Sequence, residues 1–191
     1  KVVDPRQGEV MFGLNLIVNR GKTIFLCDTS VIEYPDAKQL AEMAKSAARV
    51  VRLFGFDPKI AFLSHSTFGE PATDRTKRLS DAVEILKKDN VDFKFDGEMQ
   101  PDVALEEVYK ELYPFSEIVG SSNVLIMPSQ HSAAISYKMI KSMSRAKVIG
   151  PLLVGLGQPI EIAPLRSSTS DIINLASIAA YSADVIQYKK N

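Results

Sequence analysis

Short apolar runs alternating with segments of helical period fill this chain from residue 59 onwards, and that alternation narrows the fold more than any other feature. Residues 59–63 (KIAFL) read as a strand that leads through a polar loop to a helix over 74–88. A strand over 91–95 precedes a short helix at 102–112, and a strand over 123–127 (NVLIM) precedes a helix at 130–145. A strand near 147–154, a short one near 160–163 and a final helix of small residues over 170–187 complete the order. Ser168 with Asp171 caps that last helix. Strands alternating with helices need crossover connections, which place helices on both faces of a mostly parallel sheet.

The first third of the chain is built differently. Residues 10–18 (VMFGLNLIV) and 22–27 (KTIFLC) flank Asn19-Arg20-Gly21 and read as an antiparallel hairpin. Asp36 then opens a helix, with Gln39 three residues on as its capping-box partner. Ala37, Leu40, Ala41, Ala44, Ala47, Ala48 and Val51 recur at helical spacing, and Gly55 closes the element. The expected class is α/β, a mostly parallel sheet flanked by helices. In such sheets ligands bind at the loops leaving the carboxyl ends of the strands. That directs attention to 27–36, 64–73, 96–101, 128–133 and 164–170.

Charge and cysteine content narrow the partners. The 23 basic and 23 acidic residues cancel, so nothing draws nucleic acid or an anionic membrane. No stretch approaches the roughly 18 apolar residues that a membrane span needs. The single cysteine, Cys27, excludes an internal disulfide and fits a reducing compartment. The start, KVVDP, lacks both a methionine and the apolar core of a signal peptide. The expectation is a piece of a longer cytoplasmic protein.

Among the loops, 64–73 (SHSTFGEPAT) carries hydroxyls and a glycine between a strand and a helix. Such a loop can present backbone and side-chain donors to an anion, or be an ordinary polar turn with Thr73 as helix cap. His65 is of a residue type that can act as a general base but has no partner visible in the sequence, and the same holds for His131. Cys27 has no companion at metal-ligand spacing and reads as a buried small hydrophobe. The tract 96–102 (DGEMQPD) holds three carboxylates. They suit a metal, but acids before a helix more often serve its positive end, and capping is the expected role. Asp171, in the first turn of the last helix, is a capping residue, or a base if a thiol or hydroxyl comes close. The tail pair Lys189-Lys190 is too short to be a basic patch.

These loops resemble, in order, the motifs of the phosphate acetyl/butyryltransferase family. CDTSVIEYPDAKQLAEMA (27–44) is similar to its Ala-Asp-Thr-Ala-Val-Asn-x-x-Pro segment, and LSHSTFG (63–69) to Leu-Ser-x-Ser-Thr-x-Gly. DGEMQPDVAL (96–105) resembles Asp-Gly-Glu-Leu-Gln-x-Asp-Ala-Ala, and NVLIMP (123–128) with Tyr137-Lys138 resembles Asn-Val-Leu-Ile-Phe-Pro and a later Tyr-Lys. IGPLLVGLGQP (149–159) and SDIINLASIAA (170–180) resemble the closing strand and helix.

The resemblance implies two α/β lobes around a cleft, with part of the first lobe missing. Residues 1–150 would form the second lobe, and 151–191 would return to the first. Ser64, Ser66, Thr67, Gly69 and Asp171 would then contact acetyl-CoA or a related CoA thioester. In active members an aspartate is the proposed base, and a Ser-Arg pair holds the acyl phosphate. Asp171 falls at the aspartate. Pro164 and Leu165 stand where serine and arginine are expected, with Arg166 one residue late. Glu70 replaces the serine after the glycine of the hydroxyl loop, and Ser132-Ala133-Ala134 replaces Ala-Gly-Asn. Losing one well-placed donor to a developing anion costs about 2.7–4 kcal/mol, so these departures imply that transfer is lost. Regions of this degenerate kind close bacterial NADP-dependent malic enzymes, where they oligomerise the enzyme and respond to acetyl-CoA. On that reading this region carries no cofactor, while NADP and a divalent metal (Mg or Mn) sit in upstream malic-enzyme domains. The alternative is an active phosphate acetyl/butyryltransferase, with Asp171 and Arg166 as catalytic residues.

Overall fold

The computed structural model describes residues 5, 6 and 8–188, with side chains as far as 183, so Lys189 and Lys190 lie outside the described residues. The hairpin comes first: β1 (Phe12–Asn19) and β2 (Lys22–Cys27) pair antiparallel, with Asn19 opposite Lys22. Arg20 (φ 48) and Gly21 (φ 78) form its two-residue turn. Two successive positive φ angles match the right-handed twist of the flanking strands.

The remaining elements are α1 (Ala37–Leu53), β3 (Lys59–Leu63), α2 (Asp74–Lys88), β4 (Lys94–Met99) and α3 (Pro101–Leu105). A 3-10 turn (Glu107–Glu111), β5 (Val124–Ile126), α4 (Gln130–Met143), β6 (Lys147–Val154) and α5 (Thr169–Tyr188) follow. The strands form one six-stranded sheet in the order β4-β3-β5-β2-β1-β6. β4, β3, β5 and β2 are mutually parallel, while β1 pairs antiparallel with both β2 and β6. The sheet is therefore mostly parallel and mixed only at β1.

Alternation along the strands divides the interior in two. Phe25, Ile60, Phe62, Val124 and Ile126 face α1, α2 and Leu175 of α5. Leu26, Ala61, Leu63, Leu125 and Met127 face Val103 and Ala104 of α3 and Ala133 of α4. α1 carries the expected capping box, Asp36 with Gln39, and buries Leu40, Ala41, Met43, Ala44, Ala47 and Ala48 on one face. α2 is capped by Thr73.

Three segments depart from the sequence reading. The strand expected at 91–95 runs instead through 94–99 and takes in Asp96-Gly97-Glu98. A Cβ on Gly97 would stand 2.9 Å from Phe62 Cβ, so glycine lets β4 approach β3 where the sequence looks like a turn. The helix expected at 102–112 breaks at Glu106, which is extended. The chain at 118–122 takes the freed carbonyls: Gly120 N–H donates to Val103 O and Ser122 N–H to Ala104 O. The strand expected at 160–163 reduces to one bridge between Glu161 and Leu152.

Candidate functional site

The parallel strands β2, β3, β4 and β5 all end on one edge of the sheet, and two buried carboxylates organise the loops there. Asp28, directly after β2, is 1% exposed. Its carboxylate accepts from the N–H groups of Gly13 (2.7 Å), Ser30 (2.8 Å), Val31 (3.2 Å) and Ile32 (2.6 Å). The loop thus wraps its own acid, and the anion is satisfied without a counter-ion. The approach is close: a Cβ on Gly13 would meet Ser30 Cβ at 2.7 Å. Beside it the Thr29 hydroxyl donates to Asn15 Oδ1 at 2.8 Å.

Glu98 does the same for the loop at 64–70. Pairing between β3 and β4 slips so that Phe62 opposes Gly97 and Leu63 opposes Met99, leaving Glu98 as the extra residue of a bulge. Its side chain is 1% exposed. Oε1 accepts from the Ser66 hydroxyl (2.9 Å) and the Gly69 N–H (2.8 Å), and Oε2 from the Ser80 hydroxyl of α2 (2.5 Å). Its carbonyl accepts from Phe68 N–H at 2.7 Å. A cavity of about 480 Å³ opens beside this group, between Phe68, Phe95 and Phe115.

Ser64, Ser66, Thr67 and Gly69 are accordingly brought together, though not as equal donors. Ser66 and Gly69 are committed to Glu98. The Thr67 hydroxyl oxygen accepts from Gln100 N–H at 3.2 Å. With the Ser66 proton taken by Glu98, Ser64 Oγ accepts from the Ser66 N–H at 3.4 Å, and both Ser66 Oγ at 3.3 Å and His65 Nδ1 at 3.5 Å lie within reach of its own proton. His65 is exposed, and His131 is exposed 4.0 Å from Glu33 on the next loop.

Arg78 of α2 ties two of these loops together. Its guanidinium donates to the carbonyls of Pro35 and Pro128 and stacks on Tyr34, 3.6 Å from the ring centroid. Burial holds its pKa below the usual arginine value. Loops 28–36 and 127–129 are thereby fixed to the helix that begins after loop 64–73.

Asp171 is elsewhere. Its Oδ2 accepts from the Ser168 N–H (3.0 Å) and hydroxyl (2.8 Å), and its own N–H donates to Ser168 Oγ (3.2 Å). The Ser168 backbone hydrogen bond, then its hydroxyl, hold the carboxyl below the ordinary aspartate value, with Lys141 and Lys147 adding to the effect. Lys147 opens β6 opposite Val18, at the amino end of the parallel strands. β6 lies four strands from β3, about 19 Å at ordinary interstrand spacing. The structure does not bring Asp171 beside the 64–70 loop. Pro164, Leu165 and Arg166 are exposed.

Cys27 is fully buried, and burial followed by the charge of Asp28 pushes its thiol well up, so it stays neutral. The three carboxylates of 96–102 each take protein donors, Asp96 from Gly97 N–H and Asp102 from Val103 N–H and the Tyr109 hydroxyl. Among the described residues no group of three His, Cys, Asp or Glu side chains is placed to hold a metal ion. No described helix is long and apolar enough to cross a membrane.

Sequence reasoning passed over Asp28, Arg78 and the hub role of Glu98. Asp28-Thr29-Ser30 carried a signal, because an aspartate followed by small polar residues favours a turn onto its own backbone. Arg78 carried none, since its partners are 43 and 50 residues away.

The chain matches the family model "Phosphate acetyl/butaryl transferase" over residues 1–180. It is 44% identical to an NADP-dependent malic enzyme of Rhizobium meliloti, over 96% of this chain but only 24% of that protein. It is 32% identical to a phosphate acetyltransferase of Bacillus subtilis, over 96% of this chain and 57% of that one. Among solved structures, a phosphotransacetylase from Streptococcus pyogenes superposes with a TM-score of 0.89 at 32% identity, covering 95% of this chain and 56% of that one. The chain thus spans about a quarter of the malic enzymes it matches and just over half of the transferases.

Proposed function

Since the chain belongs to the phosphate acetyl/butaryl transferase family, we propose that it is the acetyl-CoA-sensing, oligomerising region of an NADP-dependent malic enzyme, with the transfer reaction itself lost. The observation that carries the loss is the state of Asp171. A half-buried aspartate bound three ways to Ser168, with a depressed pKa, is a helix cap and a poor base for a thiol. Pro164 and Leu165, which offer neither a hydroxyl nor a cation, point the same way.

Binding without turnover needs affinity only for the ground state, whereas catalysis needs contacts that strengthen in the transition state. In this reading acetyl-CoA lies against Ser64, Ser66, Thr67 and Gly69, with the half-buried Ser64 hydroxyl facing it. Asp171 shapes the closing helix and touches the ligand only if another part of the CoA molecule reaches it. NADP and a divalent metal, Mg or Mn, belong to the dehydrogenase domains. Self-association is supported by α4, where Ile135, Met139 and Met143 are 58%, 54% and 81% exposed at spacings of four, a stripe that a second copy would cover.

The test is a transferase assay on the full-length protein. Acetyl phosphate formation from acetyl-CoA and phosphate should stay at background. Robust turnover that disappears in Asp171→Asn would falsify the reading in favour of an active phosphate acetyl/butyryltransferase.

A further inference from the structure

We propose that Glu98 is the positioning residue of the 64–70 loop, an internal carboxylate that sets the loop for its ligand without touching it. The inference rests on that loop being the CoA-thioester site proposed above. Nothing in the fold of β4 itself requires an acid here. Residue 98 is the extra residue of the bulge, so its side chain is aimed by the slip between Phe62–Gly97 and Leu63–Met99 rather than by the regular pleat. What the bulge delivers is one buried oxygen, Oε1, that gathers the Ser66 hydroxyl and the Gly69 N–H, groups three residues apart on the loop. The second oxygen anchors the acid to α2 through Ser80. The backbone follows the same path: Phe68 N–H donates to Glu98 O, and Ser64 N–H to Met99 O.

The consequence is a division of labour along the loop. Ser66 and Gly69, committed to Glu98, are structural. Ser64 makes no bond to Glu98, and its half-buried hydroxyl, which accepts from the Ser66 N–H at 3.4 Å, is left to turn its proton from Ser66 Oγ to a ligand. Phe68 (φ 50) adopts left-handed backbone that disfavours a side chain, next to Gly69 (φ 91) where it costs nothing, and the Glu98 contacts hold that turn in place. Removing the acid strands two donors and releases the turn, so Ser64 loses its fixed position although it never touched Glu98.

Glu98→Gln is the discriminating variant. Its amide oxygen can still accept from Ser66 and Gly69, and its NH2 can donate to the Ser80 oxygen, so the geometry survives while the charge is lost. Glu98→Ala removes both acceptors. Ser80→Ala cuts only the anchor on α2. In the intact protein, acetyl-CoA affinity is read by calorimetry and loop order by hydrogen exchange at the Phe68 and Gly69 amides. Glu98→Ala should weaken binding about tenfold or more and speed exchange by a similar factor, as expected for losing hydrogen bonds to a charged group. Glu98→Gln should stay within about threefold on both readouts, and Ser80→Ala should lower thermal stability with little change in either. If Glu98→Ala does not fold, Ser66→Ala should show the same two effects at smaller size. Wild-type affinity and exchange in Glu98→Ala, or equal damage in Glu98→Gln and Glu98→Ala, overturns the proposal. Should the wild-type protein itself not bind acetyl-CoA, the functional reading fails. Exchange then decides alone: lost Gly69 protection in Glu98→Ala that Glu98→Gln retains upholds the positioning role, and unchanged protection refutes it.

Discussion

The carboxyl end of the parallel strands and the closing segment after β6 use the same kinds of residue to opposite effect. At the strand ends, Asp28 and Glu98 are each 1% exposed and every oxygen has a donor. In the closing segment Asp171 is half-buried, Glu161 keeps one buried oxygen without a partner, and Leu165, Ile172 and Ile173 face outward. The first region satisfies both acids and leaves Arg78 Nε buried without a partner. The second leaves Glu161 Oε2 and Asn174 Nδ2 in that state and has apolar surface uncovered as well, as expected of a segment that completes its packing against something else.

The largest effect should come from the core that supports the strand ends. Phe62 is wholly buried on β3 between α1 and α2, and Phe62→Ala should cost about 3–5 kcal/mol by urea unfolding. Its counterpart, Ile172→Ala at 51% exposure, should stay within about 0.5 kcal/mol. Comparable losses at both sites erase the contrast.

Next in size are the acids. Asp28→Ala leaves four buried or half-buried N–H groups without an acceptor and should cost roughly 3 kcal/mol or more. Asp171→Ala should shift the melting temperature far less, since water can replace its contacts to Ser168. A larger shift at Asp171 than at Asp28 reverses the comparison.

How much of this the sequence carries depends on the range of each interaction. The hairpin, the Asp36–Gln39 capping box and the Thr73 and Ser168 caps were legible because their partners lie within a few residues and each leaves a local pattern. The line through Glu98 was not. DGE looks like a turn, and only the contact of Gly97 with Phe62, 35 positions earlier, makes it a strand. The break at Glu106 is likewise imposed from outside, by Gly120. For the site, the hydroxyl loop was found by composition, but its inward commitment to Glu98 was hidden by 29 to 32 residues of separation. Pairing Asp171 with that loop came from the family resemblance, and the sheet keeps the two apart.

The smallest effect is a pH dependence in the closing segment. Burial pushes Glu161 up to about 7 from an ordinary 4.5, opposed by a backbone hydrogen bond from Leu153. The folded state therefore holds the proton more tightly than the unfolded state. That stability is fully present below pH 4.5 and is lost as pH rises through about 7. Glu161→Gln should flatten the slope between those values and melt higher than wild type at pH 8. An unchanged slope would place the titration elsewhere. The groups facing the surrounding cavity of about 660 Å³ include Arg6, Glu9, Arg49 and Tyr181.

Acetyl-CoA titrated into the full-length protein reads out whether a CoA-thioester site persists in a region that no longer transfers acyl groups. Calorimetry should show saturable binding, and the rate of malate oxidation should change as the site fills; a coupling of about 1–3 kcal/mol would shift malate affinity by roughly 5- to 150-fold. No heat of binding and no change in rate at millimolar acetyl-CoA would mean that the site is gone and leave the region a structural module.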